Sequence, residues 1–150
     1  MDSRFREYQD AISSTASSPA EQSLAQLMRE DGIADFEVWT SRAVLEEDER
    51  VVAAAVGQVA TEDPPVLLVT DRRVLWTAQG LIRWKVRREI SRSQIRAVEI
   101  TAGGLMAPPR VRFAPVREKD LVFKLRAGAD EVARLRERMR RSFGPVYRES

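Results

Sequence analysis

Arg83, Lys85 and Arg87 occupy alternate positions of one run and are the residues best spaced for chemistry in this 150-residue sequence. Successive side chains of a strand point to opposite faces, so all three cations would share one side. Such a face attracts anions, and beside an anionic membrane each cation contributes about 1 kcal/mol. The plainer account is a solvated strand face, or one paired with acids elsewhere in the chain. Arg72 and Arg73 fall in a tight turn, where a turn-stabilising role is expected. Catalysis has little to work with. There is no histidine and no cysteine, which removes the usual general base and the usual thiol nucleophile. The run Glu46-Glu47-Asp48-Glu49 lacks the spacing of a calcium loop and is expected as a solvated acidic turn. Gly103-Gly104 alone is no phosphate cradle. The protein is expected not to be an enzyme, with no catalytic residue, metal site, cofactor or small-molecule substrate.

Two apolar groups are candidates for a partner surface. In "AGGLMAPP", residues 102–109, Leu105 and Met106 stand where polar residues are usual. They suit a partner groove or a membrane interface, unless they fold back onto the sheet. Phe5, Tyr8 and Ile12, spaced by three and four, share one helical face. That face suits a protein partner, self-association or packing on the chain's own barrel. Trp39, Trp76 and Trp84 could form a platform, but the inward register of Trp76 and Trp84 favours core.

The net charge of +2 hides an asymmetry. Residues 1–65 hold 14 acids against 5 arginines, a net −9, and residues 66–150 hold 20 basic residues against 9 acids, a net +11. The halves attract one another or present surfaces of opposite sign. Only Lys85, Lys119 and Lys124 are lysines, an arginine excess that fits a GC-rich genome better than nucleic-acid binding. The basic half also lacks exposed aromatics on which bases could stack. The start "MDSRFREYQD" has no apolar signal region, and no apolar run approaches the ~18–20 residues of a membrane span. A cytoplasmic location is expected, or one peripheral to the membrane.

Periodicity supplies the elements that would position these groups. The first helix ends in the polar tract 13–18, and a second opens at Ser18-Pro19-Ala20-Glu21 with cap, proline and the glutamate of a capping box. Leu24, Leu27 and Met28 form its apolar stripe and Gly32 its stop. A short helix is expected between Ile33 and Leu45. Strands follow at Val51–Val59, Val66–Val69 and Val74–Thr77, the last two joined by the turn Thr70–Arg73. After a turn at Ala78-Gln79-Gly80, Ile82, Trp84, Val86 and Ile90 fall on the inward side of a fourth strand. Arg88 breaks that register and marks a bulge or a strand end. Ile95, Val98 and Ile100, then Val111 and Phe113, then Leu121, Phe123 and Leu125 mark three more strands. Asp130 is expected to cap a last helix with an inner face of Val132, Leu135, Met139 and Phe143, ended by Gly144-Pro145. The expected fold class is mainly β with α+β content: a seven-stranded antiparallel barrel or sandwich capped by a C-terminal helix. Residues 1–44 form its N-terminal helical extension, 45–145 the domain and 146–150 a tail.

This layout resembles the pleckstrin-homology (PH) superfold, and the residues resemble its bacterial PH-like branch. Leu67-Leu68-Val69-Thr70-Asp71-Arg72-Arg73-Val74-Leu75 is similar to the branch's "lxlTdrRll" hairpin. Leu45 to Val51 stands at its acidic lead-in, and Ile90 through Ile95 to Val98 is similar to its "I-x-x-I-x-x-v" segment. The resemblance implies a scaffold that binds phosphoinositides, peptides or partner proteins. Many lipid-binding relatives carry basic residues on the first two strands and their loop. Here Val51 to Thr70 holds none, and the loop holds Glu62 and Asp63, so specific phosphoinositide headgroup binding at that mouth is not expected. The expected role is a non-catalytic binding module for protein–protein interaction, as adaptor or assembly subunit, through Phe5, Tyr8 and Ile12 or through Leu105 and Met106. The alternative is peripheral binding to anionic membrane lipids through Arg83, Lys85 and Arg87, with the 102–109 loop as wedge.

Overall fold

The first two helices meet on their apolar stripes. In a computed structural model, which describes residues 3–58 and 63–149, α1 spans Ser3–Thr15 and α2 spans Pro19–Asp31. The Glu21 amide donates to Ser18 Oγ (3.1 Å) and the Ser18 amide donates back to Glu21 Oε1 (3.3 Å). This reciprocal pair satisfies amides that the first turn leaves free. Gly32 closes α2 at φ 67°, a left-handed position that costs glycine little. The short helix expected before residue 45 is α3 (Phe36–Thr40), continued by a 3-10 turn, Ser41–Val44.

Two four-stranded sheets follow. β1 (Val51–Val56), β2 (Val66–Thr70), β3 (Arg73–Gln79) and β4 (Trp84–Ser91) form one antiparallel meander. β5 (Ile95–Thr101), β6 (Arg110–Pro115) and β7 (Leu121–Lys124) form another. A bridge between Gly57 and Leu125 links the sheets, and the expected end of the first strand at Val59 lies outside the described residues. α4 (Ala129–Phe143) then crosses the barrel. Its cap is Gly128 rather than the expected Asp130, which sits with Glu131 in the first turn, where the positive helix end favours carboxylates. Beyond Gly144 (φ 56°) the chain returns, and β8 (Tyr147–Glu149) adds to β5 in parallel. The sequence presents this segment as tail, because three residues carry no readable period.

Apolar residues divide into two cores. Leu67, Val69, Val74 and Ile90 of the first sheet meet Val98, Ile100, Phe113 and Phe123 of the second, closed by Val132, Leu135, Met139 and Phe143 of α4. On the outer face of the first sheet, Val51, Val66, Leu68, Leu75 and Trp84 meet Ile12, Leu24, Met28 and Trp39 of the helices. The sheet is therefore covered on both sides at β2, every residue of which is buried. Arg92 lies 4.2 Å over the Phe143 ring and donates to the carbonyls of Ser142 (2.6 Å) and Thr70 (3.1 Å), pinning the end of α4 to the first sheet.

One strand serves both cores. Trp84 and Ile90 are six residues apart and would share a face in a regular strand, yet Trp84 lies in the outer core and Ile90 in the barrel. Trp76 pairs with Arg88 and Thr77 with Val86, which leaves Arg87 as the extra residue of a bulge. The bulge reverses the facing of the strand, so Val86 does not point inward with Ile90 as expected but is exposed.

Candidate functional site

Thr70 occupies the end of β2, where its hydroxyl reaches both the turn behind it and the acidic run beside it. Thr70 Oγ1 donates to Glu49 Oε2 (2.7 Å) and accepts from the amides of Arg72 and Arg73 (3.1 Å each). Arg73 grips Glu49 with two donors, Nε to Oε2 (2.8 Å) and Nη2 to Oε1 (2.7 Å), and reaches Glu89 with Nη1 (2.6 Å). Arg72 donates to Glu46 (2.9 Å) and Asp48 (2.7 Å). The turn-stabilising geometry thus extends beyond the turn, into a clamp that fixes the lead-in to β1. Glu46, Glu47 and Asp48 are exposed, as expected of a solvated acidic turn, but Glu49 at its end is 0% exposed. A carboxylate gripped by a planar guanidinium and a hydroxyl can be buried where an unpaired one cannot.

Burial alone would raise the Glu49 pKa, but hydrogen bonds from Arg73, Thr70 and the Glu46 amide hold it below the usual carboxylate range. Burial is outweighed at Glu21 also: hydrogen bonds from the Ser17 side chain, from Arg42 and from the Ser17 and Ser18 amides bring it down to about 2. A carboxyl group whose pKa is depressed by folding stabilises fully above its unfolded value, roughly 4.3, and ceases to do so as pH falls through its folded value. Resistance to urea should therefore decline between roughly pH 5 and 2. Glu21→Gln should flatten that decline, and an unchanged slope would rule out this linkage.

The same pairing answers the charge asymmetry. Besides Arg72 and Arg73, Arg126 reaches Asp35 (2.8 Å) and Arg138 reaches Asp31 (2.8 Å). Each joins the basic half to the acidic half.

Arg83, Lys85 and Arg87 are left out of this network. All three are exposed, and no ion pair joins them to a carboxylate among the described residues. They do not form the regular stripe expected. Arg83 belongs to the turn before β4, Lys85 faces Ala78 across the ladder, and Arg87 is the bulged residue. They follow one another within five residues along one hairpin arm.

That hairpin ends in residues with no place in the expected site. β3 continues to Gln79, opposite Trp84, so the turn falls at Gly80–Arg83 rather than at Ala78–Gly80. The Gly80 amide donates to the Arg83 carbonyl (2.8 Å), and Leu81 and Ile82 fill the corners. They are 104% and 96% exposed. Ile82 is thus at the tip, not on the inward face. The 102–109 loop has the same construction: the Gly104 amide donates to the Ala107 carbonyl (2.9 Å), and Leu105 and Met106 at its corners are 105% and 97% exposed. They do not fold back onto the sheet.

The face of α1 has a different fate. Ile12 is buried in the outer core, and Tyr8 packs against that core. Burial, then the charges of Glu37 and Asp35, raises the Tyr8 phenol. Phe5 is half-buried. Gln9 Nε2 donates to the Ile33 carbonyl (2.9 Å), and Arg29 reaches Asp10 (3.1 Å) and Ser13 (2.9 Å). The helix is docked on its own chain. Trp39 and Trp84 are buried in the outer core, whereas Trp76 is partly buried at the barrel, edge-on to Phe123 with centroids 5.6 Å apart. No helix among the described residues is long and apolar enough to cross a membrane. The loop position of Glu62 lies outside the described residues.

A model of the bacterial PH domain family matches residues 45–124. No curated protein matches the sequence. Among solved structures the chain is similar to a DUF1696 family protein with a pleckstrin-homology domain from Shewanella loihica, at 16% identity and a TM-score of 0.42, over 75% of this chain and 92% of that one. It is similar to the hSac2 domain of the human phosphoinositide phosphatase Sac2, at 14% identity and a TM-score of 0.42, over 89% and 90%. It is also similar to linker-DH/PH domains of p115-RhoGEF, at 11% identity and a TM-score of 0.44, over 93% and 39%.

Proposed function

The chain belongs to the bacterial PH domain family, and on that premise we propose that it is a non-catalytic adaptor that docks a protein partner through its 102–109 loop. The observation that carries this reading is the pair Leu105 and Met106, fully exposed at the corners of a loop without a charged residue from Ala102 to Pro109. An uncharged apolar tip enters an apolar pocket without desolvating an ion, and methionine adapts its shape to the pocket. Of the α1 face, the other surface the sequence offers a partner, Ile12 and Tyr8 are taken up by the outer core. A photo-reactive residue placed at position 105, in the cells that make the protein, should capture one defined partner, and the same residue at the exposed Glu118 should not. Against the purified partner, Leu105→Ser/Met106→Ser should weaken binding by at least ~30-fold, the cost of losing one central anchor. Equal capture from both positions, or unchanged affinity, would remove this surface from the function.

A further inference from the structure

We propose that the β3–β4 hairpin tip is a membrane wedge, in which Leu81 and Ile82 enter the interface of an anionic bilayer while Arg83, Lys85 and Arg87 hold its lipid phosphates. This tip joins β3 to β4, whereas the 102–109 loop joins β5 to β6. The first argument is turn chemistry. The ladder ends at Gln79 and Trp84, and a four-residue connection of this kind is usually built around a type I turn, whose corners favour proline and small polar residues. No non-glycine residue among those described has positive φ, in keeping with such a turn. Leucine and isoleucine give this turn no advantage, and both are held wholly in water. Their apolar character is explained by something that covers them.

The second argument is charge. Arg72, Arg73, Arg126 and Arg138 are all paired with carboxylates. The three cations next to the tip are exposed and join none among the described residues. They are placed where an external anion can meet them without breaking an internal pair. The two tips built alike differ in this respect: Leu105-Met106 has no charged neighbour from 102 to 109, whereas Leu81-Ile82 has three cations within the next five residues. An apolar wedge flanked on its β4 side by basic groups matches an anionic bilayer, whose acyl boundary accepts the first and whose phosphates accept the second. Charge is what separates the two tips: the uncharged one suits an apolar pocket, the one beside three cations a surface of anionic headgroups.

The test is co-sedimentation of the full chain with phosphatidylcholine vesicles, with and without about 30% phosphatidylglycerol, at near-physiological salt. The protein should partition onto the anionic vesicles and not onto the neutral ones, and the binding should weaken as salt rises. Arg83→Ala/Lys85→Ala/Arg87→Ala should lower the partition coefficient on the order of 100-fold, about five-fold for each cation. Leu81→Ser/Ile82→Ser should lower it at least ~10-fold with an unchanged melting temperature, since neither side chain is buried. Leu105→Ser/Met106→Ser should bind vesicles like the parent, which keeps this surface distinct from the partner site. Absence of binding to anionic vesicles would overturn the wedge. So would undiminished binding by Leu81→Ser/Ile82→Ser, or an effect of that variant on self-association alone in sedimentation velocity, which would make the tip a contact between copies.

Discussion

Replacing Glu49 with alanine should destabilise the protein by about 3–5 kcal/mol, the cost of removing one partner from a buried ion pair. Arg73, whose side chain is 14% exposed, would keep the exposed Glu89 as its one carboxylate partner beside the Val44 carbonyl, and the Thr70 hydroxyl would lose its shorter acceptor and keep the Arg73 carbonyl (3.3 Å). For a chain of this size such a loss lowers the melting temperature by roughly 6–20 °C. Urea unfolding followed by tryptophan fluorescence measures it directly. Glu49→Ala/Arg73→Ala should cost less than the sum of the single changes, because the second removes the charge that the first leaves stranded. A loss under about 1 kcal/mol, or strict additivity, would show the clamp to be a surface ornament of the turn.

Removing residues 1–44 should abolish folding altogether. The family match begins at residue 45, which makes this truncation the obvious one. It would lay bare Val51, Val56, Val66, Leu68, Leu75 and Trp84, all buried under the helices. At about 1.5–3 kcal/mol for each large apolar side chain returned to water, six of them amount to roughly 9–18 kcal/mol, against a typical total stability of 5–15 kcal/mol. The fragment should be insoluble, or soluble without a cooperative transition in circular dichroism. A soluble fragment 45–150 that melts cooperatively near the parent temperature would show that the extension is dispensable and that the outer face tolerates water.

What is readable without coordinates, and what is not, follows from how far each signal reaches along the chain. The capping box of α2, the existence of seven strands and the inner face of α4 are local patterns, and they are found as periodicity puts them, apart from the facing and start of the fourth strand. Glu49 does not reveal itself as buried because its partner Arg73 lies 24 positions away, and a run of four acids looks solvated in isolation. Arg88 signals a broken register only one residue from the bulge, yet no local rule says that the strand reverses its facing there. Val86 and Ile90 therefore look like neighbours on one side. Leu81 and Ile82 escape notice for a related reason. Gly80 draws the turn toward itself and an apolar pair reads as strand, whereas the ladder between Gln79 and Trp84 pushes both residues into the corner. The charge asymmetry gives the attraction between the halves but not the pairs that carry it.

The bulge at Arg87 has a mechanical consequence. A strand anchored in two cores cannot slide in one without being dragged in the other. Trp84 locks the hairpin arm into the helical layer, and Ile90 locks the same arm into the barrel. The tip beyond them is a short cantilever clamped from both sides. A load on Leu81 and Ile82 would be carried into the whole body, and a tip already this stiff gives up little freedom when something closes over it.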